Sequence, residues 1–297
     1  MQKINLVMVN RYHQRTVWTF EDTMKTLQNT LLQAGYAAEI NANFVDPDPA
    51  VTNILFGVGS AFAHSYEEIG ALALPRNVVI FNGEQLASGS ALITDEYLQF
   101  LSRYIVFDCW EANLRDIEHR IKLHAFEMPL FPTPAMGKTT RTDWQIEYDV
   151  AFYGSLNERR QKLFDEMLDA GVRIKVIQNV WGDALPDHLL DCRYVINMHA
   201  YDTNHLELNR CIRPLSMGIP VISEVSTLPV IGEWQDSGIL FIPTEGFGRA
   251  VKEIIDAPPE VHMTAARKSM QFTNRAANAA HVRETMERVI AELTLMS

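Results

Sequence analysis

Apolar and polar positions alternate in short blocks along the first half of the chain. Residues 4–9 form an apolar run, and the polar stretch Asn10-Arg11-Tyr12-His13-Gln14-Arg15 follows as a loop. Phe20, Met24, Leu27, Leu31 and Leu32 then recur at helical spacing, and Gly35 closes that helix. The same reading places strands at 38–43, 54–58, 78–81 and 104–107, with helical patterns near 65–72, 95–102 and 113–122. Short apolar strands separated by helices predict a parallel sheet covered on both faces.

A break follows. Pro129, Pro132, Pro134 and Gly137 precede the polar run Lys138, Thr139, Thr140 and Arg141, which has the composition of a linker. The alternation then restarts with a strand at 150–153, a tight turn at Gly154-Ser155-Leu156-Asn157, and a helix at 159–170 closed by Gly171. Strands are predicted at 173–177, 195–198, 221–222 and 239–242, and helices at 247–255 and 262–295. The expected fold class is α/β, with two Rossmann-like doubly wound domains facing across a cleft. The expected domains are 1–145, 146–274 and a terminal helix, 275–297, that packs back on the first domain. No repeat at solenoid period and no low-complexity segment is present.

Composition narrows the function classes. A chain of 297 residues with 47% hydrophobic residues can bury two cores. The net charge of −11 argues against a nucleic-acid backbone as the main partner. Cys109, Cys192 and Cys211 lack metal-ligand spacing, and their odd number suits a reducing compartment. The residues Met1 to Asn10 run directly into a strand without a signal-peptide pattern, and no apolar run reaches bilayer length. A cytoplasmic protein without a transmembrane segment is the expectation.

The stretch from Glu207 to Glu224 carries the most chemistry. It reads as a helix, then Gly218 as its stop, then Pro220 and a buried strand. Glu207 and Arg210 lie three apart near the helix start and share one face. Helix N-termini attract phosphate, and a guanidinium adds two directed donors. A carboxylate beside them can take sugar or ribose hydroxyls. Arg213 shares the Arg210 side and reads equally well as a surface charge.

Ligands of open α/β sheets bind at the carboxyl ends of the strands. In the second half those loops carry Gly154, Ser155 and Asn157, with Arg159 and Arg160 at once behind them; the plain alternative is a tight turn with two solvated arginines. Trp181 and Gly182 follow a strand and can stack a nucleobase, or Trp181 can pack on its own loop. Asn197, His199 and Tyr201 lead into the Glu207 helix, with His199 read as pointing out of the strand end toward the cleft. In the first half, His13, Glu84 and Asp108 are each able to act as a base for an acceptor hydroxyl, or to serve as a cap or turn residue. The two glycines of Gly57-Val58-Gly59-Ser60 fall short of a dinucleotide fingerprint. No His-Glu-x-x-His, Gly-x-Ser-x-Gly or Gly-Lys-Ser/Thr phosphate loop occurs, and Cys109 and Cys211 read as buried inert thiols.

The segment Asp149-Val-Ala-Phe-Tyr-Gly-Ser-Leu-Asn-Glu-Arg-Arg160 resembles the opening of the C-terminal domain of bacterial GT-B glycosyltransferases, nearest to the CgeB-like spore-maturation group and the broad group 1 transferases. Arg210 with Gly218-Ile-Pro-Val221 resembles their donor-site helix and following strand, and Val230-Ile-Gly-Glu-Trp-Gln-Asp-Ser-Gly-Ile-Leu-Phe241 resembles a later segment of that domain. The resemblance covers about residues 149–274. It implies metal-independent transfer of a sugar from a nucleotide-diphosphate donor to an acceptor hydroxyl, without a cofactor. The donor would lie on the second domain and the acceptor on the first, the acceptor being a glycan, lipid, protein or small molecule.

By resemblance, Gly154 and Ser155 approach the diphosphate, Arg210 neutralises it, and Glu207 contacts the donor sugar or ribose. The candidate catalytic residues are therefore Glu207, His13 and Glu84, and no residue is assigned to a metal. Candidate donor contacts also include Asn157, Arg159, Trp181, Gly182, Asn197, His199 and Tyr201. Arg213 stands five residues before Gly218, where many group 1 transferases carry a glutamate, so the stereochemistry of transfer stays open. A non-catalytic nucleotide-sugar or small-ligand binding protein, and a sugar-nucleotide epimerase of related fold, are the alternatives.

Overall fold

The computed structural model describes residues 1–10, 19–64, 74–115, 117, 119–137, 146–202, 205–226, 228–275 and 279–296. The chain divides into two compact units, Met1–Leu130 with Ala277–Ser297, and Phe131–Ala276. His13, the helical pattern at 65–72 and the polar run at 138–141 lie outside the described residues.

The first unit is built on six strands, β1 (Lys3–Met8), β2 (Ala37–Ala42), β3 (Val51–Phe56), β4 (Val78–Asn82), β5 (Ile105–Asp108) and β6 (Ala125–Glu127). They form one sheet in the order β2-β1-β3-β4-β5-β6, with every pairing parallel. β3 and β4 are buried at every position, as strands covered on both faces must be. Val7, Leu55, Ile80 and Val106 meet Phe62, Tyr97 and Phe100 from the helices to form the core. The ring of Phe62 lies 5.5 Å from Tyr97 and 5.4 Å from Phe100.

One region of this unit departs from the sequence reading. The helix predicted at 113–122 is a short helix, Glu111–Arg115, and the chain then reaches the unpredicted strand β6. The connection at 43–50 runs from β2 to β3 without a helix. Asparagines hold it: Asn41 Nδ2 donates to Asn5 Oδ1 at 2.7 Å, and Asn5 Nδ2 donates to Asn53 Oδ1 at 2.8 Å and to the Phe44 carbonyl at 2.9 Å. Asn5 and Asn53 are both buried in the sheet, and this ladder satisfies their amides. The helix Ala279–Met296 belongs to the same unit, where Arg283 Nε donates to the Ala34 carbonyl at 2.9 Å.

The second unit carries β7 (Tyr148–Tyr153), β8 (Ile174–Ile177), β9 (Cys192–Asn197), β10 (Val221–Glu224) and β11 (Ile239–Ile242). Their order is β11-β10-β9-β7-β8, again with every pairing parallel. Val150, Phe152, Ile196 and Ile222 from the sheet pack on Leu163, Met167, Phe247 and Val251 from helices. The strand order reverses between β7 and β9, since β7 pairs with β8 on one side and β9 on the other. A ligand is expected beyond the carboxyl ends of the two strands flanking such a reversal.

The proline-rich stretch is fastened to this unit rather than free along its whole length. Phe131 stacks 5.5 Å from Trp234 and meets Phe272 edge-on at 5.8 Å. Thr133 N donates to Ser216 Oγ at 3.2 Å, and Arg213 Nη1 donates to the Met136 carbonyl at 3.2 Å. These contacts place 131–137 on the helix Leu208–Ser216. The predicted single helix over 262–295 is two helices, Pro259–Arg275 and Ala279–Met296, one in each unit.

Candidate functional site

β7 ends at Tyr153, and the chain turns through Gly154 with φ at +118°. That backbone region admits glycine and strains other residues. The turn delivers Asn157 to the N-cap of the helix Glu158–Asp169, where its Oδ1 accepts from Arg160 N at 2.9 Å. Asn157 Nδ2 also donates to the Ala200 carbonyl at 2.6 Å, tying the loop after β7 to the loop after β9. The helix Leu208–Ser216 begins next to these loops, with Glu207 at its N-cap and Gly218 past its end at φ +73°.

Arg160, Glu207 and Arg210 form one buried cluster beneath the turn. Arg160 Nη2 donates to both oxygens of Glu207, at 2.7 and 2.6 Å, while its Nε donates to the Met198 carbonyl at 2.9 Å and its Nη1 to the Ser155 carbonyl at 2.7 Å. Arg210 Nη1 pairs with Glu207 Oε2 and donates to Asn197 Oδ1 at 3.0 Å, and its Nε donates to the Tyr153 carbonyl at 2.9 Å. Ala200 N donates to Glu207 Oε1 at 2.8 Å. The Arg210 guanidinium lies over the Phe152 ring, 5.2 Å from its centre.

These contacts set the protonation states. Burial pushes the Glu207 carboxyl up, but the charges of Arg210 and Arg160 and the Ala200 amide outweigh it and hold the carboxyl at about 2. Burial, and then the charge of Arg210, bring Arg160 down to about 10. Glu207 and Arg160 are therefore both charged at neutral pH, and two guanidinium groups face one carboxylate. One nitrogen of Arg210, Nη2, has no hydrogen-bond partner among the described residues. It lies against Gly154, where an added Cβ would be 2.6 Å away.

A second pairing lies one strand over. Arg159 donates from Nη2 and Nη1 to the two oxygens of Glu224 at 2.6 and 2.8 Å, and its Nε meets the exposed Asp202 at 3.0 Å. Glu224 also accepts from Thr244 Oγ1 at 2.8 Å and from His199 N at 2.6 Å. The Arg159 guanidinium is thus committed inside the protein. The alternative of Arg159 and Arg160 as two solvated arginines is set aside, because Arg160 is 5% exposed and carboxylates engage both side chains, the buried Glu224 and the half-buried Glu207. His199 is fully buried, and its Nε2 lies 3.2 Å from the Val225 carbonyl, so its ring does not point outward. Burial lowers its pKa and keeps the imidazole neutral.

Other predicted residues take plainer positions. Ser155 is exposed on the turn and Tyr201 is half-buried on the loop after β9. Trp181 is half-buried at the start of the 3-10 turn Gly182–Ala184, after β8. Asp183 in that turn lies 3.6 Å from Arg213, which is buried. Glu84 lies on the first unit, in the loop after β4, and burial raises its pKa. Sequence reasoning did not single out Glu224 and gave Arg160 no role of its own. A carboxylate closing the otherwise buried strand Val221–Glu224 is the signal that was available, because such a group requires a cation.

Among the described residues, no group of three or more His, Cys, Asp or Glu side chains is placed to hold a metal ion. No described helix is long and apolar enough to cross a membrane.

No protein-family model matches the chain. Two uncharacterized proteins of Acanthamoeba polyphaga mimivirus resemble parts of it. One is 34% identical over 82 residues, which is 27% of this chain and 9% of that protein; the other is 34% identical over 153 residues, 50% of this chain and 49% of that protein. The matches thus span half or less of these relatives' own length. Solved structures match over the whole chain. The crystal structure of Anabaena HepE in complex with UDP and glucose superposes with a TM-score of 0.59 at 9% identity, covering 98% of this chain and 100% of that one. Sucrose-phosphate synthase from Thermosynechococcus elongatus gives 0.57 at 10% identity, covering 100% of both.

The chain shares their fold. It has the two parallel-sheet α/β domains of the GT-B glycosyltransferases, as the sequence resemblance implied.

Proposed function

We propose that the protein is a glycosyltransferase that moves a sugar from a nucleoside-diphosphate sugar to an acceptor hydroxyl, with the diphosphate held beyond the carboxyl ends of β7 and β9. The observation that carries this reading is the cluster beneath Gly154. Arg160 and Arg210 share the single carboxylate of Glu207, leaving a net charge of +1 under an exposed, glycine-opened turn. The turn also leads into the N-terminus of the helix Glu158–Asp169, whose dipole favours an anion. HepE, a structural neighbour, binds UDP and glucose.

Each donor-site residue then has a role. Gly154 and Ser155 let the diphosphate approach the backbone, and Nη2 of Arg210 supplies its charge. Glu207, Asn157 and Asn197 fix that guanidinium and the loops around it. Trp181 and Gly182 offer a surface for the base, and His199, Tyr201 and Arg159 shape the floor. Transfer forms the bond from the acceptor oxygen to the anomeric carbon, breaks the bond from that carbon to the β-phosphate oxygen, and passes the acceptor hydroxyl's proton to a base, for which Glu84 is the candidate among the described residues. The departing diphosphate gains negative charge, which a fixed cation stabilises without reorganisation. The protein's own cations serve here, and no metal or other cofactor is assigned. The free thiols of Cys109, Cys192 and Cys211 support a cytoplasmic location.

Calorimetric titration with UDP and GDP tests the reading, with EDTA present. The wild type binds one of them, and Arg210→Ala loses about 1.5–3 kcal/mol, the worth of a charge-assisted contact. Absence of binding of both nucleotides by the wild type at millimolar concentration refutes it.

A further inference from the structure

The loop after β9 brings one more carboxylate to the edge where the diphosphate is proposed to lie. Asp202 stands two residues beyond Ala200, which is fastened on both sides. Ala200 N donates to Glu207 Oε1 at 2.8 Å, and the Ala200 carbonyl accepts from Asn157 Nδ2 at 2.6 Å. Two residues of chain reach about 7 Å at most, so Asp202 stays beside the turn that Asn157 ends. Its Oδ1 accepts from Arg159 Nε at 3.0 Å.

The two ends of that bond sit in different surroundings. The Nη1 and Nη2 nitrogens of Arg159 face inward, to the Glu224 carboxylate and the His199 carbonyl, and the Glu224 side chain is fully buried. Nε faces a carboxylate whose side chain is 98% exposed. Glu224 already neutralises Arg159, and an ion pair with one member in water adds little to stability. Release of Asp202 returns its carboxylate to water and strands no buried group. The contact changes the charge of the edge instead. Arg160 and Arg210 against Glu207 leave one positive charge, Arg159 and Glu224 cancel, and Asp202 removes the surplus. Glu158, the other acid at the start of this helix, is paired with Lys162 at 3.2 Å. Asp202 thus sets a negative group against the first turn of the helix Glu158–Asp169, whose dipole favours an anion, and against a guanidinium held from behind.

We propose that Asp202 is a built-in counter-ion that the diphosphate of the donor displaces, freeing Arg159 Nε to donate to a phosphate oxygen. The inference rests on the proposed donor site and deepens it, by naming a residue that sets which anions the site accepts. A tethered carboxylate competes at an effective concentration on the order of millimolar. Inorganic phosphate offers charge alone and loses to it. A nucleoside diphosphate adds contacts through its base and displaces it.

Calorimetry on the full chain at low ionic strength tests the inference with UDP, uridine and inorganic phosphate. Asp202→Asn is expected to bind UDP about threefold or more tightly than the wild type, the scale of one unit charge acting through water at about 5 Å. Inorganic phosphate gains in the same direction, uridine is unmoved, and Asp202→Glu, which keeps the charge, stays within about twofold of the wild type. Added salt narrows the gap between wild type and Asp202→Asn. UDP affinity that is unchanged or weakened in Asp202→Asn, an equal gain for uridine, or an equal gain in Asp202→Glu overturns the proposal while leaving the donor site standing. Absence of UDP and GDP binding by the wild type and by Asp202→Asn alike removes the donor reading and this inference with it.

Discussion

Gly154 and Arg210 occupy each other's space: a Cβ on the first would lie 2.6 Å from Nη2 of the second. The guanidinium is anchored on its other sides by the Tyr153 carbonyl, Asn197 and Glu207, so it has little room to retreat. Gly154→Ala is expected to destabilise the protein by about 1–3 kcal/mol, from strain at φ +118° and from overpacking. UDP affinity falls although no charge is removed. Urea unfolding followed by UDP titration of the folded variant measures both.

Glu207 is expected to govern part of the acid limb of stability. The folded protein keeps it ionised to about pH 2, whereas its ordinary value is 4.5. The stability it contributes is complete above about pH 4.5 and is lost as pH falls toward 2. Glu207→Gln keeps the shape and flattens this limb. Glu207→Ala leaves two buried cations without their counter-charge and costs about 3–5 kcal/mol. Circular dichroism during acid titration of wild type and Glu207→Gln decides the matter; superimposable acid limbs would contradict it.

Asp108 acts with the opposite sign. Burial raises its pKa from 3.8 to about 7, and the donors from Asn82, Trp110 and Asn113 offset only part of that. Protons are then held by the folded state and not by the unfolded one across that interval. The first unit loses stability as pH rises from about 3.8 to about 7 and levels off above it. Hydrogen exchange of peptides from β4 and β5, corrected for intrinsic rates, is expected to show protection falling between pH 5 and 8. Protection that rises with pH there would refute the assignment.

Trp181→Ala is expected to leave stability within about 1 kcal/mol, since the residue is half-buried on a loop. UDP affinity should drop by the equivalent of about 1–3 kcal/mol, the worth of a base stacked on an aromatic ring. Thermal melting and UDP titration separate the two effects, and unchanged affinity removes Trp181 from the base site.

Periodicity revealed the sheets because a parallel strand covered on both faces must be apolar throughout, as Val78-Val-Ile-Phe81 is. It fell short at the start of β3, where a polar group is satisfied inside the sheet. Asn53 looks like the end of a loop and the pattern starts that strand at 54, yet the strand begins at Val51 and Asn53 pairs with Asn5 within the sheet. β6 has only the three residues Ala125–Glu127, too few for any period to register. In the candidate site, spacing brought Glu207 and Arg210 to one helix end. It did not disclose that Arg160, from a helix distant in sequence, completes the cluster, because that partnership depends on strand order rather than on neighbours along the chain.

The stretch 131–137 has a mechanical consequence. Its Gly137 lies so near the Ser216 carbonyl that a Cβ would be 1.9 Å away, and Thr133 and Met136 bond to Ser216 and Arg213 of the same helix. That helix carries Arg210 and is capped by Glu207. Tension applied to the polypeptide upstream of residue 131 is therefore delivered to the helix that carries Arg210 through these two hydrogen bonds, making this segment a tether whose far end is the candidate donor site.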